Sequence, residues 1–137
     1  MRRVKVSNGP DGWSFDERWG SVMLKSFFND FTVHNDMAFG FSGPFLECVD
    51  IEEGKRKWKS GRYGGQIILL ADQDLVLVLT EKGELALVKA SSDKFIEVAR
   101  IPAIQGKTWN HPVMVGDILL VRNSQEMVAL QFPGAKS

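Results

Sequence analysis

Residues 45–58, Phe-Leu-Glu-Cys-Val-Asp-Ile-Glu-Glu-Gly-Lys-Arg-Lys-Trp, read as a strand, a tight turn and a second strand. Phe45 to Asp50 alternates as a half-buried strand does, and Glu52-Glu53-Gly54 supplies a turn whose glycine is free to take a positive φ. Lys55 to Trp58 then opens an outer strand whose tryptophan caps a core. Echoes of this pattern lie on both sides, so the chain reads as a repeat protein.

Upstream, Asn29–His34 is a strand closed by the turn Asn35-Asp36, and Met37–Phe41 runs back to the turn Ser42-Gly43. Downstream the plan recurs as Gln66–Leu70, Asp74–Leu79, Glu84–Val88 and Phe95–Ala99, with turns at 71–73, 81–83 and 91–93. The middle two runs are almost wholly apolar, as strands covered on both faces are. A third copy runs through Asn110–Val115, Ile118–Arg122 and Glu126–Phe132 and lacks an outer strand.

The register is numerical: Trp19 to Trp58 is 39 residues and Trp58 to Val98 is 40, while Asp36, Asp74 and Asp117 open the second strands at steps of 38 and 43. A period near 40 with four strands per repeat marks the blades of a β-propeller, none of which can bury both its faces alone. The expected fold is therefore all-β, one partial propeller domain spanning 1–137. Its parts are an outer strand at 13–20, blades at 29–60 and 66–101, and an incomplete blade at 109–132. Strand 13–20 carries Trp13, Phe15 and Trp19 toward a core and has no partner upstream. The connection 21–28, rich in large apolar groups, is expected to pack down.

Composition narrows the function. At 137 residues and 44% hydrophobic the chain can hold a real core. Seventeen basic and 17 acidic residues leave no net field toward nucleic acid or an acidic membrane. Lys55-Arg56-Lys57 reads as the solvated face of an outer strand. The single Cys48 forms no internal disulfide and reads as a core residue; with His34 and His111 it makes too small a set for structural zinc. No apolar run follows the basic N-terminus, so neither a signal peptide nor a membrane span is expected. As written the chain is expected in the cytoplasm, or exported if it belongs to a longer exported protein.

At Glu47–Trp58 the sequence resembles the repeat of the PQQ-like (quinoprotein dehydrogenase-like) β-propellers, whose blades read Ala-Leu-Asp, then Thr-Gly, then an outer-strand Trp. Lys107-Thr108-Trp109-Asn110-His111-Pro112 with Leu120-Val121-Arg122-Asn123 is similar to the C-terminal blades of that group. The second blade departs from the pattern, with Lys89 and Val98 in place of the Asp and Trp. The group contains PQQ-dependent alcohol dehydrogenases, which hold quinone and calcium in an eight-bladed ring, and non-enzymatic scaffolds such as the outer-membrane assembly lipoprotein. The repeat does not separate these classes. None of the dehydrogenases' catalytic residues can be placed here, and no cofactor is expected.

Loops from one blade's outer strand into the next blade's inner strand form the propeller face commonly used for binding. Here they are 21–30, 60–65 and 102–111, bringing Lys25, Asn29, Asp30, Arg62, Tyr63, Lys107, Trp109, Asn110 and His111 to one rim. Arg62, Tyr63, Lys107, Trp109, Asn110 and His111 form the candidate ligand site, suited to a small anionic, sugar-like or peptide ligand through charged hydrogen bonds and stacking. The bland alternative is that the same groups only pack between blades and cap strand ends. No Ser or Cys is set beside His111 as a nucleophile, so no catalytic residue is assigned. The favoured function is a non-catalytic binding or protein-interaction module; the alternative is an enzyme, or enzyme remnant, of quinoprotein type acting on an alcohol or sugar.

An arc of three blades leaves faces and an edge uncovered. The expectation is a homodimer in which strand 13–20 of one subunit completes the blade ending at Phe132 of the other, closing a six-bladed ring.

Overall fold

Alternation and turn chemistry divide the described residues into thirteen strands. The computed structural model describes residues 1–132. A hairpin, β1 (Arg2–Gly9) and β2 (Gly12–Gly20), precedes a four-stranded antiparallel sheet of β3 (Phe31–His34), β4 (Met37–Ser42), β5 (Phe45–Asp50) and β6 (Arg56–Arg62). A second four-stranded sheet holds β7 (Gly65–Leu70), β8 (Leu75–Thr80), β9 (Glu84–Lys89) and β10 (Glu97–Pro102). The third has β11 (Val113–Val115), β12 (Ile118–Arg122) and β13 (Met127–Gln131). Strands pair in sequence order within every sheet, as the blades of a propeller do. One 3-10 turn, Ala71–Gln73, joins β7 to β8, and among the described residues no helix is long and apolar enough to cross a membrane.

The turns form where short polar residues accept left-handed backbone. Asn35 and Asp36 sit at φ 48° and 60°, the mirror-image turn that matches strand twist. Gly54 takes φ 70°, and the Trp19 indole lies so close over it that a Cβ there would stand 2.7 Å from the ring.

Burial follows the pleat. Phe39, Phe41, Leu46, Cys48 and Trp58 on one face of the first sheet meet Ile67, Val76, Val78, Ala86 and Val88 of the second. The second sheet's other face, Leu77, Leu79 and Leu85, meets Leu119 and Val121 of the third. β8 is therefore covered on both sides, which explains its unbroken apolar run. Cys48 is fully buried.

Trp58 donates its Nε1 proton to the carbonyl of Ser91, in the β9–β10 connection, at 2.8 Å. Trp19 donates in the same way to Ile51, in the β5–β6 turn, at 3.1 Å. This repeat places β2 as the outer strand of a blade preceding β3–β6. Two sequence expectations need correction here. Strand 13–20 does have an upstream partner: Arg2–Gly9 pairs along its length, so β1 and β2 stand as third and fourth strands of that blade. Trp13 and Phe15 do not face a core; they are 69% and 73% exposed, and only Trp19 is packed down. The hairpin is long, so its tip projects beyond the first sheet while Arg3 at its base forks onto the Glu52 carboxylate, one contact being 2.7 Å.

Candidate functional site

The connections between blades converge on one rim because each is tied to the next by backbone bonds. Tyr63 and Gly64 N–H both donate to Pro44 O at 2.9 Å, Glu81 N–H donates to Gly64 O, and Thr108 N–H donates to Glu81 O. Asn29 Nδ2 donates to Gly65 O, and Gln66 Nε2 donates to Trp109 O at 3.3 Å. Loops 21–30, 63–64 and 103–112 thus form one surface, with a cleft of about 380 Å³ lined in part by Phe27, Phe28, Asn29, Pro44, Arg62 and Lys82.

The candidate residues divide in two. Trp109 is 51% exposed and meets Phe28, 61% exposed, edge to face with ring centroids 6.1 Å apart. Lys107 Nζ stands 4.0 Å above the Trp109 ring, a cation–π contact at the surface. Arg62 is exposed at the cleft and lies 5.8 Å over the Phe45 ring. His111 is exposed, its Nδ1 2.7 Å from Pro112 O, which makes that nitrogen the donor. Asn110 is half-buried beside it. Lys25 and Asp30 are exposed on the 21–30 loop.

Tyr63 turns the other way. Its ring is buried against Phe95, and its hydroxyl donates to the Glu97 carboxylate, on which Arg100 closes a fork at 3.1 and 2.7 Å. Burial, then the bond to Glu97, pushes the Tyr63 phenol well above its ordinary range. The Arg100 hydrogen bonds, and next Tyr63's, hold Glu97 below the usual carboxylate range. This is a polar tie between adjacent blades.

Sequence reasoning missed Glu47, wholly buried on β5 in a register where the second sheet carries Ala86. Its Oε2 accepts from Leu24 N–H at 3.0 Å, and its Oε1 lies 2.9 Å from Arg56 and 3.5 Å from Lys59. Oε1 forms an ion pair with Arg56 by distance but no well-directed hydrogen bond. Glu47 thereby pins the 21–30 connection, burying Leu24 as expected of an apolar link while Val22, Phe27 and Phe28 stay exposed. Phe27, Phe28 and Lys82 also went unnamed as site residues, although the Phe-Phe pair in a loop was the available signal. Among the described residues no three His, Cys, Asp or Glu side chains converge to hold a metal ion.

No family profile matches the chain, and no curated protein sequence does. Solved structures do. The crystal structure of BamB from Moraxella catarrhalis, a β-propeller, superposes with a TM-score of 0.65 at 15% identity, covering 84% of this chain and 36% of that one. The chain spans about a third of that protein's length, and what the two share is the fold: four-stranded antiparallel blades of a β-propeller.

Proposed function

We propose that this chain is a non-catalytic propeller module of the PQQ-like repeat type that holds an extended acidic segment of a partner protein on the rim of loops 21–30, 63–64 and 103–112. The observation that carries this reading is the exposed Phe28–Trp109 pair with Lys107 over it, beside a cleft holding Arg62 and Lys82. Exposed aromatic rings desolvate cheaply and supply contact area, while cations set around them select carboxylates. Glu81 is the one carboxylate among the cleft residues, so the local charge is positive although the chain as a whole is neutral.

The test is titration of the intrinsic tryptophan fluorescence with a synthetic peptide alternating Asp and Leu. Inorganic phosphate and a maltooligosaccharide serve as the anionic and sugar-like comparisons. The peptide is expected to bind, and W109A and R62A are each expected to weaken it about tenfold with the melting temperature unchanged. Binding that ignores both substitutions, or preference for phosphate or sugar, rejects the proposal.

The proposal extends to self-association. Among the described residues β13 has no strand beyond it, and the outward face of its sheet, with Val113, Val115 and Met127, is uncovered. A homodimer joined through β2, closing six blades, covers both; light scattering should then report about twice 15.3 kDa.

A further inference from the structure

The form of that self-association is set by β1. In β5 the residue opposite Trp58 is Cys48, which lies opposite Phe39. Phe39 is three residues after the turn Asp36; three after Asp117 is Leu120, whose partner in β13 is Ala129. A neighbouring blade built as the first one is would therefore set Ala129 opposite Trp19. That place is taken by Arg3 of the same chain.

We infer that β1 is an intramolecular stand-in for the third strand of a neighbouring blade, and that a second copy of this chain joins by placing its β13 on β2 where β1 now lies. Two observations support the second copy as occupant. Every blade contact inside the chain joins the later face of one sheet to the earlier face of the next; among the described residues the later face of the third sheet is uncovered, and the earlier face of the first, closed over β4 and β5 by Leu24, Met1 and Met23, is open along β3. The later face of the third sheet carries Val113, Val115, Leu120 and Met127, and the earlier face of the first carries Phe31 and Val33; all are apolar and all but Leu120 are exposed. The contact is head-to-tail, so it closes only if the rotation per chain is half a turn.

β1 is poorly held for a strand of its length. Seven of its eight residues are exposed, and its ion pair to Glu52 involves two exposed side chains, the kind of pair that contributes little. An exposed hairpin is marginal on its own. Displacement exchanges the ladder of eight-residue β1 for the shorter one that five-residue β13 can make, and newly buries the later face of the third sheet and the exposed Phe31 and Val33 of the first. The intact hairpin then lowers the apparent dimer affinity by the fraction of chains whose β2 edge is free.

This inference rests on the self-association proposed above, and full-length variants separate the two. Ser7 and Ser14 are directly opposed on the hairpin, so S7C/S14C can form a disulfide that locks β1 onto β2, while Cys48 is buried away from it. V6P removes a backbone donor from β1 and disfavours it. By analytical ultracentrifugation the oxidised double cysteine variant is expected to stay monomeric, reduction to restore the wild-type monomer–dimer equilibrium, and V6P to lower the dissociation constant about tenfold. Equal dimerisation of oxidised and reduced protein overturns the role of β1 while leaving self-association standing. Monomers throughout, up to about 100 μM, overturn both. Should V6P lose its β spectrum by circular dichroism, the locked variant decides alone.

Discussion

The hairpin β1–β2 and the sheet β7–β10 are both antiparallel ladders with one register shift each, yet they differ in everything outside the ladder. In the sheet, Val76 and Val78 are buried against the first blade and Leu77 and Leu79 against the third. In the hairpin, Val6 lies opposite Phe15, with Trp13 next on the same face, an apolar stripe that no other described residue covers. Backbone pairing exchanges water hydrogen bonds for internal ones at small net gain, whereas covering two faces removes apolar surface from water at each residue. The propeller therefore derives its stability from sheet against sheet, and a ladder with open faces is left available for exchange.

The largest expected effect separates those two settings. Leu77 is fully buried between two blades, so L77A is expected to cost about 3 kcal/mol, transfer and cavity together. F15A, removing a larger but exposed side chain, is expected to change stability by less than about 0.5 kcal/mol. Urea titration followed by circular dichroism measures both. Comparable losses would mean that the hairpin stripe is covered in solution.

A smaller contrast uses glycine. Gly65, at φ 146°, opens β7 so close to the neighbouring strand that a Cβ would stand 2.0 Å from Leu79 O. Gly12, at φ 96°, opens β2 with nothing within 4 Å. G65A is expected to cost about 2 kcal/mol or more, because a backbone carbonyl must move, and G12A about 1 kcal/mol from conformation alone. The same titration reads both, and equal costs would show that Gly65 has room the packed sheet denies it.

Legibility followed the same division. Where a strand is covered, its period shows in the sequence: the apolar runs of β8 and β9, the turn at Gly54 and the capping role of Trp58 were all readable. β1 was not, because Arg2, Arg3 and Lys5 masked the alternation of Val4 and Val6; the Pro10-Asp11-Gly12 turn that closes it was a usable signal passed over. Glu47 hid for the opposite reason, since a charge at an inward position reads as outward until the connection that covers it is placed. The rim was legible as a set of loops. The division of its residues into an exposed aromatic patch and a buried Tyr63–Glu97 tie depends on side-chain direction, which loop position does not encode.

The smallest expected effect is a pH dependence. Burial pushes the Cys48 thiol up to about 12, with Lys57 opposing and Asp50 adding to the shift. In the unfolded chain a thiol ionises near 8.5. Below about pH 8 both states carry the neutral thiol, so Cys48 makes no pH-dependent contribution there. Above 8.5 only the unfolded state gains by ionising, and stability falls until the folded thiol ionises too. The loss specific to Cys48 is about 0.8 kcal/mol at pH 9. It is isolated as the stability difference between the wild type and C48A, measured at pH 7 and pH 9, because other titrating groups cancel in that difference. S14C in the C48A background sharpens the contrast. Its thiol on the exposed hairpin ionises alike in both states, so the difference from C48A should be flat in pH, and it should react with Ellman's reagent in native protein where Cys48 does not. A flat difference for Cys48 itself would mean that water reaches the seam between the first two blades.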